Sequence, residues 1–207
     1  RVYDGDAGPN TGGMGAYSPA PILPDDQLEA MAEATVRPIL RTLAKDGHPF
    51  VGVLYAGLML TAQGPKVLEY NVRFGDPECQ PLLMRLTGDL PAIMLGAVRG
   101  RLNPAALGQK PQTALGVVLT AKGYPGAYPK GLPITGIAEA EALPQVKVFH
   151  SGTSLKEGQL LSTGGRVLCV TALGDDLAQA QKAAYAAVER IHMPDSFCRR
   201  DIGDKGL

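Results

Sequence analysis

The stretch that most constrains the fold is residues 66–80, KVLEYNVRFGDPECQ, where an apolar run delivers a carboxylate, an amide, a guanidinium and two further carboxylates in quick succession. Val67, Leu68 and Tyr70 are β-formers, so residues 66–73 read as a strand whose alternate side chains leave opposite faces. On that reading Glu69, Asn71 and Arg73 share one face. A carboxylate and an amide carbonyl two residues apart are hard oxygen donors of the kind Mg²⁺ takes when it shares its coordination with phosphates. Arg73 adds a planar fork suited to a phosphoryl or carboxylate oxygen. The same alternation is what any half-exposed antiparallel strand shows, and spacing alone leaves both readings open. The turn that follows favours a site: Gly75, Asp76 and Pro77 break the strand, and Glu78 precedes a helix that admits Pro81 in its first turn.

Upstream, the continuous apolar run at residues 50–60, FVGVLYAGLML, is bounded by Pro49 and by a turn at residues 61–65, which predicts a buried strand forming a hairpin with residues 66–73. Ala56 and Gly57 leave room in that strand for another group to lie against the backbone. Near the start, GPNTGGMGAYSPAP carries Gly8, Gly12, Gly13 and Gly15, whose bare backbone exposes N–H groups to an anion. The spacing is neither a Walker loop nor a dinucleotide fingerprint, and on composition alone a mobile surface loop is the better reading.

Between these stretches, Leu28, Met31, Ala32, Thr35, Ile39, Leu40 and Leu43 recur at helical spacing behind Asp25 and Asp26, predicting an amphipathic helix broken near Arg37 by Pro38. Residues 81–86 and 89–99 read as short helices, with Asp89 as cap and Gly100 as stop. Residues 103–111 are a polar link and the expected boundary between a domain at 1–102 and a second at 103–207. Strands are expected at residues 113–121, 147–151, 159–161 and 166–173, with residues 162–165 as a hairpin turn and a helix at 177–192 capped by Asp175 and Asp176. The terminal FCRRDIG offers Arg199, Arg200 and Asp201 either for docking or for solvation.

Several function classes are excluded by composition. The 207 residues contain 20 Lys plus Arg and 20 Asp plus Glu, and neither nucleic acid nor an anionic membrane is expected to bind a chain without net charge or a basic run. No apolar run approaches membrane-spanning length. Cys79, Cys169 and Cys198 are too widely spaced for a metal site, so they read as free thiols, and the cytoplasm is the expected compartment. The chain opens at Arg1 in a loop and is expected to be the later part of something longer.

RFGDPECQ at residues 73–80, DGDAGPNTGGMGAYSPAP near the start, LYAGLM at 54–59, GRVLCVTALG at 165–174 and FCRRDIG near the end resemble, in that family's order, the phosphoribosylamine–glycine ligases of the ATP-grasp superfamily. The resemblance implies an α+β fold: the C-terminal part of an ATP-grasp core, an antiparallel sheet with helices, followed by a small α+β lobe. It implies ATP as co-substrate with Mg²⁺ or Mn²⁺, glycine and 5-phosphoribosylamine as the other substrates, and an N-terminal part of the same enzyme as partner. It assigns Glu69 and Asn71 to metal, Leu58 and Glu69 to ATP, Arg73 to catalysis, and Asn10, Gly12, Gly13, Met14 and Gly15 to substrate, while Asp76 and Glu78 are expected either to hold the glycine ammonium or to orient Arg73. LYAGLM lacks the first metal carboxylate that many ATP-grasp enzymes carry. Another carboxylate–amine ligase of the superfamily and a non-catalytic remnant remain alternative readings.

Overall fold

The computed structural model describes all of residues 1–207. In chain order the strands and α-helices are β1 (Gly15–Ser18), α1 (Asp25–Thr35), α2 (Arg37–Lys45), β2 (Tyr55–Thr61), β3 (Gly64–Asn71), α3 (Cys79–Arg85), β4 (Leu86–Thr87), α4 (Leu90–Val98), β5 (Gly108–Gln109) and β6 (Thr113–Ala121). They continue with α5 (Ile137–Glu141), β7 (Val146–His150), β8 (Thr153–Lys156), β9 (Gln159–Ser162), β10 (Arg166–Gly174), α6 (Leu177–Val188) and β11 (Ser196–Phe197). The chain divides into two compact units: Arg1–Pro19 with Asp76–Leu86 and Lys110–Leu207, and Ala20–Gly75 with Thr87–Gln109. The border falls between Gly75 and Asp76, inside the RFGDPECQ stretch.

The first unit is built on a five-stranded antiparallel sheet in the order β1-β6-β10-β7, with β11 also paired to β6. Register decides which side chains go to which face. Val170 lies opposite Val117 and Ala172 opposite Leu115, and these join Leu168 and Leu119 in a core closed by Leu177, Ala180, Ala184, Ala187 and Val188 of α6. Thr171 lies opposite Gly116 on the other face, where a Cβ on Gly116 would sit 3.3 Å from Pro81 Cγ of α3. The sheet is therefore covered by a helix on each side. Asp176 caps α6 by accepting from the Gln179 N–H at 2.8 Å.

Three expectations change here. Residues 162–165 do not form a hairpin turn; β9 pairs with β8 around Glu157 and Gly158, whose φ angles of 50° and 80° supply the left-handed pair that a two-residue turn needs. The glycine-rich start contains a strand, β1, which is paired to a segment about a hundred residues away and so gives no local signal. The last helix stops at Val188, before the expected 192.

The second unit contains α1, α2, α4 and the β2–β3 hairpin. The break expected from Pro38 is present, with Val36 separating α1 from α2. Tyr70 of β3 donates its hydroxyl to the Thr35 carbonyl at the end of α1. Asp89 caps α4 through the Ala92 N–H at 2.9 Å. The apolar run at 50–60 is not a buried strand: Gly52, at φ 146°, and Pro49 keep its first residues out of β2, and Met59 and Leu60 are exposed. Leu28 of α1, Leu68 of β3, and Met94, Leu95 and Val98 of α4 are exposed too, whereas Met31, Ala32, Ile39, Leu40 and Leu43 of the expected stripe are half-buried and Thr35 is buried.

Candidate functional site

Glu69 and Asn71 close the β3 strand. Between Gly57 and Leu58 the register with β3 slips, so that Gly57 faces Glu69 while Leu58 faces Val67 and Leu68 bulges out. Past the bulge, Glu69 and Asn71 share a face, and Asn71 Nδ2 donates to Glu69 Oε1 at 2.9 Å. That bond fixes the amide with its carbonyl oxygen free of the carboxylate. One side-chain carbonyl and one carboxylate are hard donors, and Mg²⁺, which keeps several waters and takes the rest of its shell from phosphates, requires no more from a protein. The donor set fits the metal. The space at Gly57 is filled from within the hairpin, because a Cβ there would stand 3.3 Å from Glu69 Cγ and 3.4 Å from the Tyr55 ring. Leu58 is half-buried at the bulge.

Arg73 does not continue the ladder. β3 ends at Asn71, opposite Tyr55, because its partner strand begins there, and the Arg73 guanidinium donates to the Phe74 carbonyl at 2.8 Å. Its side chain is exposed and its orientation is set by the turn, not by the pleat.

In the first unit a second cluster gathers around the glycine loop. Asp76 accepts from Gln80 Nε2 at 3.1 Å and from Arg166 Nη2 at 3.0 Å. Arg166 Nη1 donates to the carbonyls of Gly12 at 2.8 Å, Gly13 at 3.2 Å and Asp76 at 2.7 Å. Composition gave no sign of this residue as a site member. Its partners lie 154, 153 and 90 positions away, and only the β10 pairing brings it to them. Glu78 is half-buried at the N-terminus of α3, where its carbonyl accepts from the Leu82 N–H at 3.2 Å. Asn10 is exposed.

The loop's N–H groups are spoken for more than its glycines imply. Gly13 N–H donates to Thr11 Oγ1 at 3.1 Å and Gly12 N–H faces the Tyr124 hydroxyl at 3.5 Å. Met14 is buried in the core and its carbonyl accepts from Val118 N–H at 2.9 Å. Gly15 opens β1, where a Cβ would come within 2.6 Å of both the Gly116 carbonyl oxygen and Ile202.

A third network holds the N-terminal residues to the C-terminal ones. Arg199 is buried, donating to both Asp201 oxygens at 2.6 Å each, to Asp6 at 3.0 Å and to the Arg1 carbonyl at 3.1 Å. Asp201 in turn accepts from Gly5 N–H at 2.8 Å, and Asp4 from Arg200 N–H at 2.7 Å. The paired guanidinium pulls the Asp201 carboxyl well below the usual carboxylate range, chiefly through its hydrogen bonds. FCRRDIG is thus a docking segment, and its first arginine is not solvated.

Two family models match this chain: the ATP-grasp (A) domain of phosphoribosylglycinamide synthetase over residues 1–79 and the C domain of the same synthetase over residues 114–205. The chain belongs to the phosphoribosylglycinamide synthetase family. Among family relatives, a phosphoribosylamine–glycine ligase from Agrobacterium fabrum is 53% identical over 203 residues, which are 98% of this chain and 48% of that protein. The crystal structure of a phosphoribosylamine–glycine ligase from Thermotoga maritima superposes with a TM-score of 0.84 at 37% identity, over 98% of this chain and 49% of the other. This member of the synthetase family therefore spans about half the length of the relatives it matches. The fold alone extends further, to the MgADP-bound biotin carboxylase domain of 2-oxoglutarate carboxylase from Hydrogenobacter thermophilus, with a TM-score of 0.61 at 13% identity over 89% of this chain and 40% of that one. The α+β, ATP-grasp-type architecture expected from the synthetase motifs is the one found.

Proposed function

We propose that this chain supplies the metal strand, the acceptor loop and the C-terminal lobe of an ATP-dependent ligase that joins glycine to 5-phosphoribosylamine in purine biosynthesis. The observation that carries the reading is the Glu69–Asn71 pair, fixed at 2.9 Å on the end of β3, in a chain of this family. In the reaction a glycine carboxylate oxygen attacks the γ-phosphorus of ATP, releasing ADP and leaving glycyl phosphate. The amine nitrogen of phosphoribosylamine then attacks the glycyl carbonyl, phosphate departs, and the nitrogen loses a proton to give glycinamide ribonucleotide.

Both steps bring anions together, so the residues present are those that manage negative charge. Glu69 and the Asn71 carbonyl would hold Mg²⁺, or Mn²⁺ in its place, which when bound neutralises phosphate charge. Arg73, exposed past the end of β3, is suited to a phosphoryl oxygen. Leu58 offers apolar surface to the nucleotide. Asn10, Gly12, Gly13, Met14 and Gly15, with Asp76 and Glu78, form the proposed acceptor side. There Met14 and Gly15 act through the loop's shape, since one is core and the other is strand. Three free thiols and the lack of a helix long and apolar enough to cross a membrane support the cytoplasm as the compartment.

The test completes the enzyme, by expressing the whole gene or by fusing this chain to the part of the Agrobacterium fabrum relative that it does not match, and measures ADP formation. Dependence on both glycine and phosphoribosylamine is the expected result, with none from the 207-residue chain alone. ADP release that ignores glycine, or that follows another amine better, refutes it.

A further inference from the structure

Arg166 is the first residue of β10, and the next two positions, Val167 and Leu168, are fully buried in the core. Its backbone is consequently fixed by the sheet, while its guanidinium reaches out to segments that have no sheet to hold them. One nitrogen, Nη1, donates to three carbonyls, those of Gly12, Gly13 and Asp76, at 2.8, 3.2 and 2.7 Å, and Nη2 donates to the Asp76 carboxylate at 3.0 Å. The Arg166 side chain is 20% exposed and that of Asp76 43%, so the guanidinium is the more enclosed partner of these charge-assisted bonds.

The glycines make this approach possible. A Cβ on Gly12 would stand 3.1 Å from the Arg166 Cζ, and a Cβ on Gly13, whose φ is +110°, would stand 2.6 Å from Pro77 Cδ. The bare backbone that the sequence reading gave to an anion is used, at these two positions, to let a guanidinium and a proline ring lie against the loop. Beyond Asp76 the chain of bonds ends at Gln80, whose Nε2 donates to Asp76 Oδ1 at 3.1 Å and whose Oε1 is buried without a partner.

We infer that Arg166 is a positioning residue for the acceptor substrate: it locks the Gly12–Gly13 peptides to the Asp76 turn and so sets the shape that the phosphorylated amine meets. It does this by orienting other groups, with its own fork already engaged. The inference rests on the ligase reading for the identity of the substrate, whereas the locking of the loop stands apart from it.

The experiment therefore has two arms, each using Arg166→Met and Arg166→Lys. Lysine retains the charge without the fork, and covers the case in which the methionine variant does not fold. In the first arm, hydrogen exchange on the 207-residue chain should show the amides of Gly12, Gly13, Met14 and Glu78 exchanging about tenfold faster in the variants, with β6 and α6 unchanged. In the second arm, the completed enzyme should show KM for phosphoribosylamine raised about tenfold or more, with kcat and the KM values for glycine and ATP close to wild type and the lysine variant less affected than the methionine. Unchanged exchange at the loop overturns the inference, and so does a loss confined to kcat. A wild-type completed enzyme that forms no glycine-dependent ADP removes the ligase reading, and the exchange arm then decides the locking by itself.

Discussion

Asn71 donates from Nδ2 to the Oε1 of Glu69 across 2.9 Å, which turns the amide carbonyl and the second carboxylate oxygen into a matched pair of acceptors. Replacing Glu69 by Gln keeps the shape and removes the charge that a divalent cation needs. In the completed enzyme Glu69→Gln should lower Mg²⁺-dependent turnover by about a hundredfold, whereas the melting temperature should hardly move because the side chain is exposed. Turnover near wild type at every Mg²⁺ concentration would take Glu69 out of the metal role.

Arg199 sets the stability of the first unit at the seam between its two chain ends. Truncation in Arg199→Ala would strand the Asp201 carboxylate, which is 23% exposed, and the more accessible Asp6. The partial exposure of Asp201 lowers the penalty from the full range for buried pairs, and about 2–3 kcal/mol is expected for loss of the Arg199–Asp201 pair by urea denaturation. A change below about 0.5 kcal/mol would mean that water replaces the guanidinium without loss.

The same pair fixes an acid limb. Arg199 holds the folded-state pKa of Asp201 below its unfolded value of about 3.9, so the carboxylate's contribution is complete above that pH and is lost as pH falls toward the folded-state value. Stability measured between about pH 5 and pH 2 should therefore fall more steeply in the wild type than in Asp201→Asn, with the two curves converging at the acid end. Parallel curves across that interval would exclude the linkage.

Local signals were legible where a residue acts on its own neighbourhood. Pro38 broke the helix, Asp89 and Asp176 capped theirs, and a short apolar run found β6 over its whole length. What escaped is long-range. β1 is four residues with three small ones, and nothing nearby marks it as the partner of Val117 and Gly116. Arg166 gives no local sign of a site role, and the sequence leaves Arg199 open between docking and solvation, because each has partners more than 150 positions away. The Glu69 and Asn71 face was legible because two-residue periodicity is local, but Arg73 left it since the end of a strand is set by its neighbour and not by its own sequence. The family resemblance named candidate residues without saying that Met14 would be core and Gly15 strand.

Gly15 separates two explanations for the glycine loop. If its lack of a side chain serves packing, Gly15→Ala must push a methyl into the Gly116 carbonyl and Ile202, both 2.6 Å from the added carbon. Backbone on one side and a buried side chain on the other leave little room to yield, and a loss of about 1–3 kcal/mol is expected in thermal or urea unfolding. A variant as stable as the wild type, with impaired binding of the phosphorylated amine, would restore the anion-cradle role at this position.

Cys169 reports whether the sheet of the first unit is closed as described. It sits in β10 opposite Val118 and Phe149, is 1% exposed, and has Thr171 Oγ1 3.5 Å from its sulfur. Burial pushes its thiol up to about 12. At pH 8 only about one molecule in ten thousand would then carry the thiolate, against about one in four for a free cysteine, and the reagent must also reach it. Cys79 and Cys198 are half-buried and their thiols are raised by burial as well, but neither is sealed in the sheet. Alkylation followed by mass spectrometry should modify these two first, with Cys169 reacting on the timescale of global opening of the first unit and all three reacting together in concentrated guanidinium. In Arg199→Ala the Cys169 rate should rise in step with the measured loss of stability, because both report the same opening. Labelling of Cys169 as fast as Cys198 in the native wild type would mean that β10 is accessible between β6 and β7, and the core that orients Arg166 would lose its foundation.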